Sequence, residues 1–227
     1  MLGVMQTSLK LVIPACGRVS ALWTAPKRAQ ACYIFAHGAG AGMRHPFMAA
    51  FSEGLAERGI ASLRYQFPYM EAGGKRPDGP ALAHATVRAA VHKARGLCGH
   101  LPIFAGGKSF GGRMTSQAQA DEALPGVVGL IFLSFPLHPA GKPSVERAAH
   151  LSDVGIPMLF VHGARDALAE PAHFTEMAAA LGLLATTLEI DNADHGLHVP
   201  KRSGRSDADV MSDVLDSTCM WTQAWRL

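Results

Sequence analysis

The sequence predicts an α/β protein: a three-layer α/β/α sandwich around a mostly parallel sheet, with a minimal lid or none. Three observations predict it. Short apolar runs alternate with amphipathic stretches of helical length along nearly the whole chain. Several of the runs are apolar throughout, the pattern of strands covered on both faces. One of them leads straight into Gly107-Lys108-Ser109-Phe110-Gly111, a G-x-S-x-G word followed by a helical stretch.

Residues 9–13 and 18–24 read as two early strands, a hairpin across Pro14 to Gly17. Residues 31–36 form an apolar strand. Residues 46–57 read as a helix that Gly59 ends, and 60–65 as the next strand. A long helix over 80–97 opens with a proline and closes near Gly99. The run 102–105 is the strand before the G-x-S-x-G word, and Gly112 to Ala118 continues as its helix. Strands follow at 127–135 and 157–161, a helix at 171–181, a last strand at 185–190 and a final helix at 206–226. That final helix carries Val210, Met211, Val214, Leu215 and Trp221, a packing stripe. Residues 136–156 hold room for one short helix, so a small or absent cap and an open site are expected.

The 227 residues, 48% hydrophobic and 17% charged, suit one compact domain over 1–227 and argue against disorder. A formal charge of +3 with no long basic block excludes a nucleic-acid partner. No run approaches a membrane span, and Lys10 and Pro14 break up the Leu11-to-Cys16 word that faintly matches a lipoprotein cleavage site. Cys16, Cys32, Cys98 and Cys219 are scattered, without metal-ligand spacing, as in a reducing cytoplasmic setting. No metal and no cofactor are expected, and a monomer or homodimer is.

A serine between strand and helix sits in a tight turn that exposes its hydroxyl beside helix N–H groups. It needs a base, normally a histidine oriented by a carboxylate. Ser109, Asp166 and His195 stand in the order serine, acid, base, each on a strand-to-helix connection at one edge of the sheet. Asp191 and Asp194 are rivals of Asp166, and His198 of His195. The bland reading of Ser109 is an ordinary helix N-cap. The oxyanion donors expected are the N–H groups of Phe110 and Ala39, with Gly40 as second choice and as a substrate contact. Lys108, Tyr69 and His138 are further candidates to touch substrate. Lys108 either attracts an anionic substrate or points to solvent, and His37 bonds loop backbone. A phosphate-binding loop is excluded, because Pro102 stands where its first glycine must be. A dinucleotide fingerprint at Gly38-Ala39-Gly40 fails at Met43.

The words His37-Gly38-Ala39-Gly40, Arg64-Tyr65-Gln66-Phe67-Pro68-Tyr69, Gly106 to Gly112, Leu137-His138-Pro139, His162 to Asp166 and Asp194-His195-Gly196 carry a resemblance. The chain resembles the α/β-hydrolase superfamily, in particular its dienelactone-hydrolase-like members and the group related to subunit 3 of the NSL complex. The resemblance implies a sheet of about seven or eight strands and a metal-free hydrolase and says little about substrate; the order and placement of Ser109, Asp166 and His195 point to a serine hydrolase acting on small esters or thioesters. True dienelactone hydrolases are similar in layout but use cysteine as nucleophile. The resemblance also leaves open a non-catalytic interaction module that keeps the fold.

Overall fold

The computed structural model describes residues 4–14 and 16–225. Ala15 of the expected hairpin turn and Arg226 of the expected last helix lie outside the described residues. Eight strands form one sheet: β1 (Met5–Ile13), β2 (Gly17–Ala25), β3 (Ala31–Ala36), β4 (Ile60–Tyr65), β5 (Ile103–Lys108), β6 (Val127–Leu133), β7 (Met158–Gly163) and β8 (Ala185–Ile190). Their order is β1-β2-β4-β3-β5-β6-β7-β8. β1 and β2 form an antiparallel hairpin, and β2 runs antiparallel to β4. All remaining pairs are parallel. Every parallel strand therefore ends at one edge, where the loops that follow meet.

Six α-helices join them: α1 (Pro46–Glu57), α2 (Pro68–Glu71), α3 (Pro80–Cys98), α4 (Phe110–Asp121), α5 (Pro171–Leu181) and α6 (Asp207–Ala224). Helices α1, α2, α3 and α5 begin with a proline, which has no N–H to leave unpaired in the first turn. α6 begins instead with a capping box, in which Ser206 and Asp209 satisfy each other's backbone N–H groups. Two differences from the sequence reading stand out. α2 is a single turn that the Phe67-Pro68 boundary creates. The strand expected over 127–135 stops at Leu133, because Ser134 turns to φ 56 and leaves the sheet.

The strands present alternate residues to two cores. On one face Tyr33, Phe35, Phe104, Ile131 and Leu159 pack under α1 and α6, with Phe51 against Phe35 at 5.3 Å between ring centroids. Val210, Val214, Leu215 and Trp221 of the predicted α6 stripe are buried there. On the other face Ile34, Ala105, Leu130, Phe132 and Phe160 pack under α3, α4 and α5. Burying one such aromatic side chain contributes about 1.5–3 kcal/mol. Between β6 and β7 the chain forms only a 3₁₀ helix, Glu146–Asp153, so no lid covers the strand ends. No helix among the described residues is long and apolar enough to cross a membrane.

Two glycines at the β5–α4 junction are required by close approach. A Cβ on Gly107 would overlap the Ala36 carbonyl, and one on Gly111 would lie 2.6 Å from the His37 oxygen. Both contacts are with backbone of β3 and its loop, which cannot move without breaking the sheet. Gly96 is the opposite case, exposed in α3 with nothing near its Cβ position. Gly111→Ala is therefore expected to destabilise by about 3 kcal/mol or more. Gly96→Ala should stabilise by about 0.5–1 kcal/mol. Denaturant unfolding of the two variants checks the contrast.

Candidate active site

β5 runs into α4 through Ser109, whose backbone is held at φ 49, ψ −114. A non-glycine residue there costs on the order of 1–3 kcal/mol. The surroundings hold it, since the Ser109 N–H donates to the Leu133 carbonyl at 2.9 Å and Gly107 and Gly111 let β3 close in from the other side. The ordinary N-cap reading fails here, because the Ser109 side chain makes no capping hydrogen bond. Its Oγ lies 2.9 Å from Nε2 of His195 instead.

His195 is on the loop after β8, and its Nδ1 lies 2.8 Å from Oδ2 of Asp166. Asp166 is on the loop after β7 and is buried. Its other oxygen, Oδ1, accepts the Leu168 N–H at 2.8 Å, which fixes the carboxylate plane. The rival carboxylate Asp194 is spent on its own turn, accepting the N–H groups of Gly196 and His198. The rival histidine His198 faces Asp207 on the surface. The three side chains picked from the sequence thus form one continuous hydrogen-bonded chain.

The loop after β3 lies beside the elbow, with Gly38 against the backbone of Lys108 and the Cβ of Ser109. Among the described residues neither Ala39 N–H nor Phe110 N–H has an acceptor, and Phe110 opens α4, where helix N–H groups are free. Gly40 is different: its N–H donates to the Tyr69 hydroxyl at 3.0 Å. The second choice for an oxyanion donor is therefore already engaged, and Tyr69 holds the loop rather than standing apart as a pocket wall.

That contact belongs to a set made by the segment after β4. The Met43 N–H donates to Gln66 Oε1 at 2.7 Å, and the buried Arg64 donates from Nη1 to the Met43 carbonyl at 3.2 Å. The Phe67 N–H donates to His37 Nε2 at 3.1 Å, while His37 Nδ1 donates to the Gly38 carbonyl. The bond accepted at Nε2 needs a neutral imidazole, and burial lowers the His37 pKa to about 4. Sequence reasoning assigned His37 to loop backbone but missed Gln66 and Arg64. No local pattern reveals that these side chains reach back across to the preceding loop.

Two expected substrate contacts are placed elsewhere. Lys108 is half-buried and tied down at its tip: its Nζ lies 2.9 Å from the His195 carbonyl and 3.2 Å from Ser134 Oγ. His138 is buried, with Nδ1 on the Pro139 carbonyl and its N–H on Leu168 oxygen, and its Nε2 has no partner. It packs near His173, behind the Asp166 loop. No cluster of three or more His, Cys, Asp or Glu residues among the described residues is arranged to hold a metal ion.

With this geometry in view, the similarities to known proteins fall into place. Residues 29–223 match the model of an α/β hydrolase domain family, and the chain belongs to that family. The structure is similar to a dienelactone hydrolase from Anabaena variabilis, with TM-score 0.78, 17% identity and 99% of each chain covered. It is also similar to a Xanthomonas campestris α/β serine hydrolase without a lid, with TM-score 0.74, 19% identity, and 95% and 94% of the two chains covered. An esterase domain from a Rhodothermus marinus protein gives TM-score 0.70 at 17% identity, over 97% and 99% of the chains.

Two outcomes follow from the loop set. Tyr69→Phe leaves the Gly40 N–H without its acceptor, and the loop should loosen while the fold stands. Phosphonylation of Ser109 should slow about tenfold with stability lowered by no more than about 1–2 kcal/mol, as rapid-quench labelling and unfolding curves would show. His37 stays neutral when folded down to about pH 4, whereas the unfolded side chain takes a proton below its ordinary 6.5. The unfolded state then binds more protons between those values, so stability falls as pH drops through that window. At pH 5 the loss should be on the order of 2 kcal/mol. The His37→Gln variant should lose less by about that amount when unfolding is compared at pH 7 and pH 5, and the loss that remains belongs to His150, which burial also lowers to about 4, and to His162.

Proposed function

We propose that this protein is a serine hydrolase that cleaves small carboxylic esters or thioesters through an acyl-enzyme. The observation that carries the reading is the hydrogen-bonded chain from Ser109 through His195 to Asp166. His195 Nε2 takes the hydroxyl proton as Ser109 Oγ attacks the carbonyl carbon. Asp166 holds Nδ1–H and balances the imidazolium that forms. The oxyanion is received by the unengaged N–H groups of Ala39 and Phe110. His195 then returns the proton to the leaving alcohol or thiol. In the second half it deprotonates water, which releases the acid and restores Ser109.

The uncovered strand ends favour short, accessible acyl groups over long chains. The case for an anionic substrate is weaker because the Lys108 Nζ is engaged by the His195 carbonyl and Ser134; Arg44 and Lys142 are exposed. The described chain is read as one domain. None of its four cysteines is in a disulfide, which fits a reducing, cytoplasmic setting.

Labelling with a fluorophosphonate probe, followed by mass mapping, tests the reading on wild type, Ser109→Ala and His195→Ala. A single adduct on Ser109 is expected, absent from the first variant and slowed about 10³–10⁴-fold in the second. Hydrolysis of acyl esters should fall with increasing chain length. A folded wild type that takes no label would overturn the hydrolase and leave an interaction module on the same fold.

A further inference from the structure

Lys108 is a half-buried cation for which the triad has no use. No carboxylate among the described residues lies within ion-pair distance of it. An ammonium drawn partly out of water without a paired carboxylate is unfavourable, so its retention needs a compensating set of contacts. Those contacts are present and come from three other parts of the fold. Lys108 itself ends β5 beside the nucleophile. Its Nζ donates to the His195 carbonyl at 2.9 Å on the loop after β8. It also donates to Ser134 Oγ at 3.2 Å, where the chain leaves β6 at φ 56. It lies 4.8 Å from the ring centroid of Phe47 on α1, a cation–π contact.

The His195 loop needs an anchor of this kind. Its far side is closed by the Asp194 turn, in which the Asp194 N–H donates to the His198 carbonyl and Leu197 sits at φ 64. The imidazole reaches Ser109 from the near side, where the backbone carbonyl of His195 is held by Lys108. We propose that Lys108 is a positioning residue that ties the His195 backbone to the nucleophile elbow and places a positive charge in the field of the Asp166–His195 pair. It rests on the reading of Ser109 and His195 given above.

The charge has a consequence for pH. The charged or titratable groups facing Lys108 are Asp166 from the loop after β7, and Asp194 and His195 from the loop after β8; β6 and α1 present the neutral Ser134 and Phe47. Burial lowers the amine to about 8, with Asp166 and Asp194 acting the other way, so it is still protonated through the acid range where a histidine titrates. A positive charge there opposes uptake of a further proton at the site. Removing it should move the acidic limb of the reaction to higher pH.

The test is the rate of Ser109 phosphonylation against pH, with melting curves, for full-length wild type, Lys108→Met and Lys108→Arg. Lys108→Met should lower the plateau rate by about 10–100-fold through misplacement of the base. It should also raise the midpoint of the acidic limb by about half a pH unit or more. Lys108→Arg, which keeps the charge, should return the limb toward its wild-type position. A folded Lys108→Met protein with wild-type plateau and limb would overturn the role of Lys108 and leave the triad reading untouched. A wild type that does not label would sink both. Should both Lys108 variants unfold, Ser134→Gly decides: it removes the hydroxyl that holds Nζ and accepts the positive φ. A plateau lowered about threefold or more supports the proposal, and an unchanged plateau overturns it.

Discussion

The backbone of Ser109 sits at φ 49 in a turn that an isolated chain would avoid, and much of the molecule is arranged to keep it there. Leu133 accepts its N–H from the neighbouring strand. Gly107 and Gly111 allow the end of β3 to press against the turn from the opposite side. β5 lies between β3 and β6 in the middle of the sheet, where both neighbours fix its register. The strain is affordable because the two cores above and below the sheet hold these strands in place whether or not the turn is comfortable.

From this fixed point the rest of the site is a matter of parallel strands ending together. β7 delivers Asp166 and β8 delivers His195 to the same edge, and the distances of 2.8 and 2.9 Å follow from the register of β5 through β8. β3 ends there too and supplies the loop with Ala39. That loop has little structure of its own. It is shaped from outside by Gln66, Tyr69 and Arg64, which follow or end the adjacent strand β4. The site is thus rigid in its backbone and open above, since the β6–β7 connection contributes only a 3₁₀ helix.

Polar burial follows the same division. His37 is deprived of water and Lys108 partly so, and in each case hydrogen bonds to backbone replace what solvent would give. Both lie next to residues that touch the candidate reaction centre, so the cost of burying them is spent on holding loops. His138, by contrast, is buried behind Asp166 with one ring nitrogen unpartnered, and nothing in the structure explains it.

The sequence by itself determined the layers, most element boundaries and the three residues of the hydrogen-bonded chain. Those properties are local: apolar runs, proline starts, glycine stops, and a serine flanked by glycines. Helices α1 and α5 and strands β3, β4 and β8 begin and end where pattern and turn residues placed them. Even the choice of Asp166 over Asp194 followed from which strand each residue succeeds. What only the tertiary structure decided is where long polar side chains go. Lys108, Tyr69, Gln66, Arg64 and His138 each have several rotatable bonds, and their partners lie up to 87 positions away along the chain. A side chain of that reach takes the direction that satisfies its charge or hydrogen bonds in the assembled interior, and that interior exists only once every strand is in place.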